Sequence, residues 1–278
     1  MKQVFTHEIP DLRSDHEMRV PYRPDRRASD NFKTNYFRMK TIKIQILLSL
    51  IVLLFGTSSC FDETFIEGNG IVRTEKRGAE GFNEIALSGD FIVSVVPSSR
   101  YSVEITAESN LLPYISTNVD GQTLKIRTTG IHLLRQDEPI EIFITTPVLN
   151  GLSLSGSGMI KTGSFISDDF RIALSGSGDI DTQISAETLT AHVSGSGNIL
   201  VGGDVSESEL VISGSGKIKS YDLEQDICKA VISGSGDMYV NVSKTIDVRI
   251  SGSGRVYYVN YPVVHTSISG SGKVVDRN

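Results

Sequence analysis

The sequence has no tryptophan and only two cysteines in 278 residues. A chain with so few cysteines cannot rest on a disulfide framework, and a Cys/His metal centre has no ligand set to draw on. Histidine is scarce as well: beyond residue 59 only His132, His192 and His265 occur. The mostly apolar stretch from Ile46 to Phe55 is too short to span a bilayer as a helix. Glycine, by contrast, is present 26 times, and much of it falls in one tetrapeptide, SGSG, written seven times.

The segment "MKTIKIQILLSLIVLLFGTSSC", Met39 to Cys60, places two lysines before the short apolar core and small residues after it. That order is the pattern of a secretory signal. Thr57-Ser58-Ser59-Cys60 resembles the lipobox of bacterial lipoproteins, with Thr57 where a leucine is usual. The resemblance implies that residues 39–59 are a signal peptide and that Cys60 is lipidated and becomes the mature N-terminus. Residues 1–38 are then an upstream extension or a misassigned start. The alternatives are an ordinary signal followed by an unrelated cysteine, and an uncleaved anchor with a cytoplasmic tail.

Of the 27 Lys+Arg and 33 Asp+Glu residues, 10 and 6 precede Cys60, so 17 stand against 27 in the mature chain, a net charge of −10. That balance opposes nucleic acid and does not favour an anionic membrane surface. Cation-rich or neutral glycan partners are compatible with it. With Cys60 lipidated, Cys228 has no partner and is expected to be a buried small hydrophobe.

The first serines of the seven SGSG copies are Ser155, Ser175, Ser194, Ser213, Ser233, Ser251 and Ser269, at steps of 18 to 20 residues. A near-constant period of this size marks a solenoid, each repeat being one rung. Directly before the motif stand Leu154, Leu174, Val193, Ile212, Ile232, Ile250 and Ile268. Ile160, Ile180, Ile199, Ile218, Met238, Val256 and Val274 follow it. The apolar set alternates with period 2, which is a strand pattern. A third apolar position is expected at Phe165, Ile184, Val205, Leu223 and Val242, with insertions in a turn between it and SGSG. The glycines keep inward phase and the serines outward phase. They either let opposing walls approach or supply the backbone freedom of a corner, while stacked outward serines can exchange hydrogen bonds.

These features predict an all-β chain, a right-handed parallel β-helix over 148–278, preceded by a β-rich half-domain over 68–147 and a short linker at 60–67. "VDGQ" at Val119 to Gln122 reads as a hairpin turn, and "LSGDF" at Leu87 to Phe91 as a worn copy of the motif that caps the stack. Only six residues follow the last SGSG. An uncapped final rung attracts other strands, so self-association through that end is expected.

The serines do not read as nucleophiles, because a hydrolase needs a histidine and an acid converging on a strand-to-helix turn. "SGSGK" at Lys217 and Lys273 leads into a β pattern and not into the helix that a phosphate loop requires. Calcium-binding rolls repeat an aspartate each turn. Here the residue after SGSG is Met159, Asp179, Asn198, Lys217, Asp237, Arg255 and Lys273 in turn, so no carboxylate ladder forms. No metal and no cofactor is expected. That column is nonetheless the candidate ligand-contact strip. Asp179, Asn198, Lys217, Asp237, Arg255 and Lys273 are expected to project outward about 4.8 Å apart, either to meet an extended glycan or to form an ion-pair ladder between rungs. Tyr257, Tyr258 and Tyr261 either stack on a sugar or seal the last rung.

"GNG" at Gly68 to Gly70, "GFNEIALSGDF" at Gly81 to Phe91, "NLLPYI" at Asn110 to Ile115 and the serial SGSGxI rungs together resemble the head-domain family of autotransporter adhesins, a domain of unknown function. The resemblance covers Gly68 to Val275. It implies a β-helical fold and an extracytoplasmic place, and it carries over no defined ligand residue. The function expected is a non-enzymatic, lipid-anchored binding or adhesion module of the cell envelope, at the outer membrane, with a glycan or surface protein as partner. The alternatives are a periplasmic structural or envelope-stress protein and a carbohydrate-active β-helix enzyme.

Overall fold

The structure, a computed structural model, describes residues 65–130 and 132–278. The extension at 1–38, the signal segment at 39–59 and Cys60 lie outside the described residues. The strands are β1 (Phe65–Glu67), β2 (Val72–Arg77), β3 (Glu84–Ser88), β4 (Ile92–Pro97), β5 (Ser102–Glu108), β6 (Ile115–Asp120), β7 (Thr123–Thr128), β8 (Leu133–Arg135) and β9 (Glu141–Thr146). They continue as β10 (Gly151–Gly156), β11 (Met159–Gly176), β12 (Asp179–Gly195), β13 (Asn198–Gly214), β14 (Lys217–Gly234), β15 (Asp237–Gly252), β16 (Arg255–Val259), β17 (Val263–Gly270) and β18 (Lys273–Asp276).

From β10 onward every pairing between rungs is parallel, each rung lying on the next in register. The chain forms the β-solenoid that its period predicts. The alternating apolar residues explain why: Leu154, Leu174, Val193, Ile212, Ile232 and Ile250 are all buried, as are Ile160, Ile180, Ile199, Ile218, Met238 and Val256. One rung alone has nowhere to hide that row, whereas a stack makes one continuous core. Cys228 lies within it, free and buried, and burial pushes its thiol up to about 12.

The SGSG motif is a corner. Its first glycine adopts φ between +117° and +130° at all seven copies, a region L side chains avoid. A Cβ there would also meet a glycine carbonyl of the preceding rung at 2.4–2.7 Å. At the five inner corners that carbonyl accepts two N–H groups from the next rung: Ser177 and Gly178, for example, both donate to Gly156 O at 3.0 Å. The ladder therefore turns the corner without stranding a backbone donor. The serines are exposed in register, but no bond joins their hydroxyls among the described residues. A rung spacing of about 4.8 Å is longer than a hydroxyl hydrogen bond.

The third apolar position departs from expectation. Phe165 and Ile184 share a column, but the next member is Gly203, and Val205 pairs with Ala186. Leu223 faces Gly203, while Val242 pairs with Gln225. The five residues belong to two inward columns: a glycine, Gly203, holds the place over Ile184 with no shift between those rungs, while the shift at Ser220/Glu224 sets Val242 over Gln225. Gly203 turns with φ +111°, where a Cβ would sit 1.9 Å from the Ile184 carbonyl oxygen.

The stack runs on below residue 147. Leu87 and Ser88 pair with Leu154 and Ser155, and Gly158 N donates to Gly89 O, so "LSGDF" is stacked under the first SGSG. Beneath it the pairing changes character. β7 extends β3 in parallel, and β6 closes on β7 as an antiparallel hairpin through Gly121. On the next face β9 extends β4, then β5 and β2 add antiparallel. The buried carboxylate of Glu108 fastens this region: it accepts Gly70 N–H at 2.6 Å and Asp137 N–H at 3.0 Å. Asn110 adds two bonds to the same segment, accepting from Asn69 N–H and donating to Glu67 O.

Candidate functional site

The candidate strip is formed by register. Met159, Asp179, Asn198, Lys217, Asp237, Arg255 and Lys273 are successive Cα partners on neighbouring rungs. Each follows a corner, so the SGSG geometry aims all of them out of the same face. Lys217, Arg255 and Lys273 are exposed, while Asp179, Asn198 and Asp237 are half-buried. Cys60 lies outside the described residues.

Two residues further along each rung runs a parallel outward column: Lys161, Asp181, Leu200, Lys219, Tyr239, Tyr257 and Val275. The two columns divide the face along its length. In the lower half polar groups satisfy one another: Asn198 Nδ2 donates to Asp179 Oδ1 at 2.7 Å, and Lys161 pairs with Asp181 at 3.4 Å. In the upper half the Tyr239 and Tyr257 rings stack with centroids 4.9 Å apart, and Tyr221 meets Tyr239 edge-on at 5.6 Å. The Arg277 guanidinium lies 5.1 Å over the Tyr257 ring, and Arg255 Nη1 donates to Tyr257 Oη at 3.2 Å. Burial pushes the Tyr221 and Tyr239 phenols up, so both keep their protons at neutral pH. A shallow groove of about 230 Å³ lies beside them, lined by Leu200, Lys219, Tyr221, Asp222 and Tyr239.

No ion pair joins neighbours in the Asp179–Lys273 column among the described residues; its one side-chain contact between rungs is the Asn198–Asp179 hydrogen bond. Ion pairs between rungs stand in the adjacent column, at Lys161–Asp181, and on the other faces, where Lys229 meets Glu209 at 2.6 Å and Lys244 meets Asp226 at 2.9 Å. The Lys229 ammonium holds Glu209 below the usual carboxylate range; bonds from Ser243 and then Lys244 do the same for Asp226. The tyrosine cluster splits. Tyr257 joins the aromatic stack, Tyr258 packs against the core, and Tyr261 is 87% exposed and seals nothing. The Tyr239–Tyr257 pair was visible as SGSGxxY in two successive rungs, Ser233 to Tyr239 and Ser251 to Tyr257. Arg277 had no such signal, since it belongs to no repeat.

A parallel β-solenoid whose flat outer face carries an ordered polar and aromatic strip is a scaffold that presents a surface. The chain belongs to the family described as "Putative auto-transporter adhesin, head GIN domain", whose profile matches residues 81–262. It is similar in structure to a "putative adhesin" from Bacteroides fragilis, at 24% identity and TM-score 0.73, over 76% of this chain and 100% of that one. A "putative lipid binding protein" from Parabacteroides distasonis aligns at 23% identity and TM-score 0.68, over 77% and 100%. A "putative adhesin" from Parabacteroides merdae aligns at 21% and 0.60, over the same shares. No curated protein matches the chain.

Proposed function

We propose that this chain is a non-enzymatic binding module of the cell envelope, held through lipid on Cys60 after loss of residues 39–59, and adhering through the strip from Asp179 to Lys273. The observation that carries this reading is the strip itself. Rigid rungs hold its side chains in register, and its upper cations have no carboxylate within ion-pair distance among the described residues. Backbone positions fixed by the ladder need no reordering when a ligand docks. The motif serines support the non-enzymatic assignment, since they occupy a solvent-facing corner and none is bonded to a histidine among the described residues. The family's adhesin description agrees with a binding role.

Protease shaving of intact cells tests the location, with an antibody to residues 61–278 and a periplasmic marker as control. The expected result is cleavage of this domain while the marker survives, with a diacylglyceryl mass on Cys60. Cleavage only after the outer membrane is opened replaces adhesion with a periplasmic structural role.

The last rung supports a second contact, with another copy of the chain. Thr266 and Ile268 hold inward phase yet are exposed, and the outer edges of β17 and β18 pair with no further strand among the described residues. Solution scattering across protein concentration reads this directly; a monomer at every concentration overturns it.

A further inference from the structure

Lys217, Lys219, Arg255, Lys273 and Arg277 gather on the upper half of the strip face. None has a carboxylate within ion-pair distance among the described residues, whereas Lys161, Lys229 and Lys244 each do. Arg255 and Lys273 are direct cross-strand partners, and like charges placed so oppose the pairing. Asp237 is near enough to act on the Arg255 charge but is not paired with it among the described residues.

We infer that this half-face binds an anionic glycan, one bearing carboxylate or sulfate groups, laid along the stack across Lys217, Arg255 and Lys273. The inference rests on the proposal that the face is a binding surface, and it names the ligand class. A bound anion between Arg255 and Lys273 relieves their repulsion, a gain available to no neutral ligand.

Four features select a glycan over other polyanions. The Tyr239 and Tyr257 rings lie 13° from parallel and cover each other, and Arg277 lies over Tyr257. A nucleobase needs a free ring face to stack on; here the stack covers its own faces, and its polar tips are the phenol hydroxyls, suited to sugar hydroxyls. Asp237 stands in the column between Lys217 and Arg255. It repels a strand carrying one phosphate per nucleotide, but accepts hydroxyls from a polymer whose charges are spaced apart. Lys217 and Arg255 lie two rungs apart, about 10 Å, which matches charges separated by neutral, hydroxyl-bearing units. Beside them the groove has an apolar floor at Leu200 and a charged rim at Lys219 and Asp222, suited to one sugar ring.

The test is interferometry of the full chain against immobilised carboxymethyl dextran and dextran sulfate, both of low substitution so that neutral sugars separate their charges, and against plain dextran, single-stranded DNA and phosphatidylglycerol vesicles. The expected result is binding of both acidic glycans about tenfold tighter than of the other three probes. Arg255→Ala with Lys273→Ala lowers that binding by about tenfold and flattens its salt dependence. Lys229→Ala with Lys244→Ala, on another face, changes it less than about twofold. A urea midpoint for the Arg255/Lys273 variant equal to or above that of the parent shows that the fold is intact. Equal affinity for DNA or vesicles overturns the inference, as does unchanged binding in that variant. Binding of plain dextran as tight as of the acidic glycans, lost on Asp237→Ala, refutes the anionic class yet upholds the face as a glycan site. Periplasmic localisation in the shaving experiment refutes adhesion and leaves this ligand class standing.

Discussion

The two ends of the stack are built from the same rung and finished differently. At the N-terminal end Phe91 stands where every later rung has the second glycine of SGSG, and its ring is buried. Below it the strands change direction, and the edge strand β2 presents Arg73, Glu75 and Lys76 to solvent. At the C-terminal end Gly272 keeps the repeat, Ile268 is 42% exposed and no strand among the described residues turns back. The difference teaches that a repeat cannot close itself. Closure needs residues that break the repeat: an aromatic plug, a reversal of strand direction and a charged edge.

The comparison breaks most severely in the middle of the stack. Gly214→Val puts a Cβ 2.5 Å from the Gly195 carbonyl oxygen at φ +129°. We expect a loss of about 3 kcal/mol or more, seen as failure to give a cooperative urea transition. The matching change in the worn motif, Gly89→Val, shares the positive φ, +134°, but its Cβ meets the Phe91 ring at 3.1 Å and not a backbone carbonyl, so its midpoint should fall less. Phe91→Ala removes the plug and should cost about 3–5 kcal/mol, read by the same transition. Glu108→Ala strands the N–H groups of Gly70 and Asp137 and should cost about 2 kcal/mol. Hydrogen exchange should quicken at residues 68–70 before it does in β11 to β15.

At the bare end Ile268→Ser should change stability by about 0.5 kcal/mol or less in a monomer. A larger loss that grows with protein concentration shows that another copy covers this rung. The smallest effect is electrostatic. Glu209 and Asp226 have folded values below their unfolded ones, so the stability they contribute is present above the ordinary carboxylate range, about pH 4, and is lost as pH falls through it. Both are exposed, so the decline between about pH 5 and 3 should be slight and should shrink further in high salt.

The solenoid was legible because its signals are local and repeated. The step from Ser155 to Ser269 sets the rung, and the alternation Leu152, Leu154 then Ile160 sets the inward face. The corner between SGSG and the third face was less legible. Insertions of one or three residues shift the register here, and where the apolar residue of the column is replaced by glycine only the ladder shows that Gly203 and not Val205 lies over Ile184. The N-terminal topology was out of reach for a different reason. The pairings of β3 with β7 and β4 with β9 join segments tens of residues apart and are carried by no repeat. On the candidate face the charged column was readable from the residue after each SGSG. Its division into a satisfied lower half and an unsatisfied upper half depends on side-chain distances that a sequence does not contain.

The Gly89 carbonyl that receives Gly158 N–H is the first of a series of stacked corners that ends at Gly270. Seven steps separate the two glycines, and at about 4.8 Å per step the last corner stands roughly 34 Å from the first. Residue 65, where the described chain begins, lies on the side of the first. Repeat number therefore acts as a length standard. A rung added or deleted moves the tyrosine and arginine face outward or inward by a fixed increment, with no change in its chemistry, so reach and recognition can vary independently of each other.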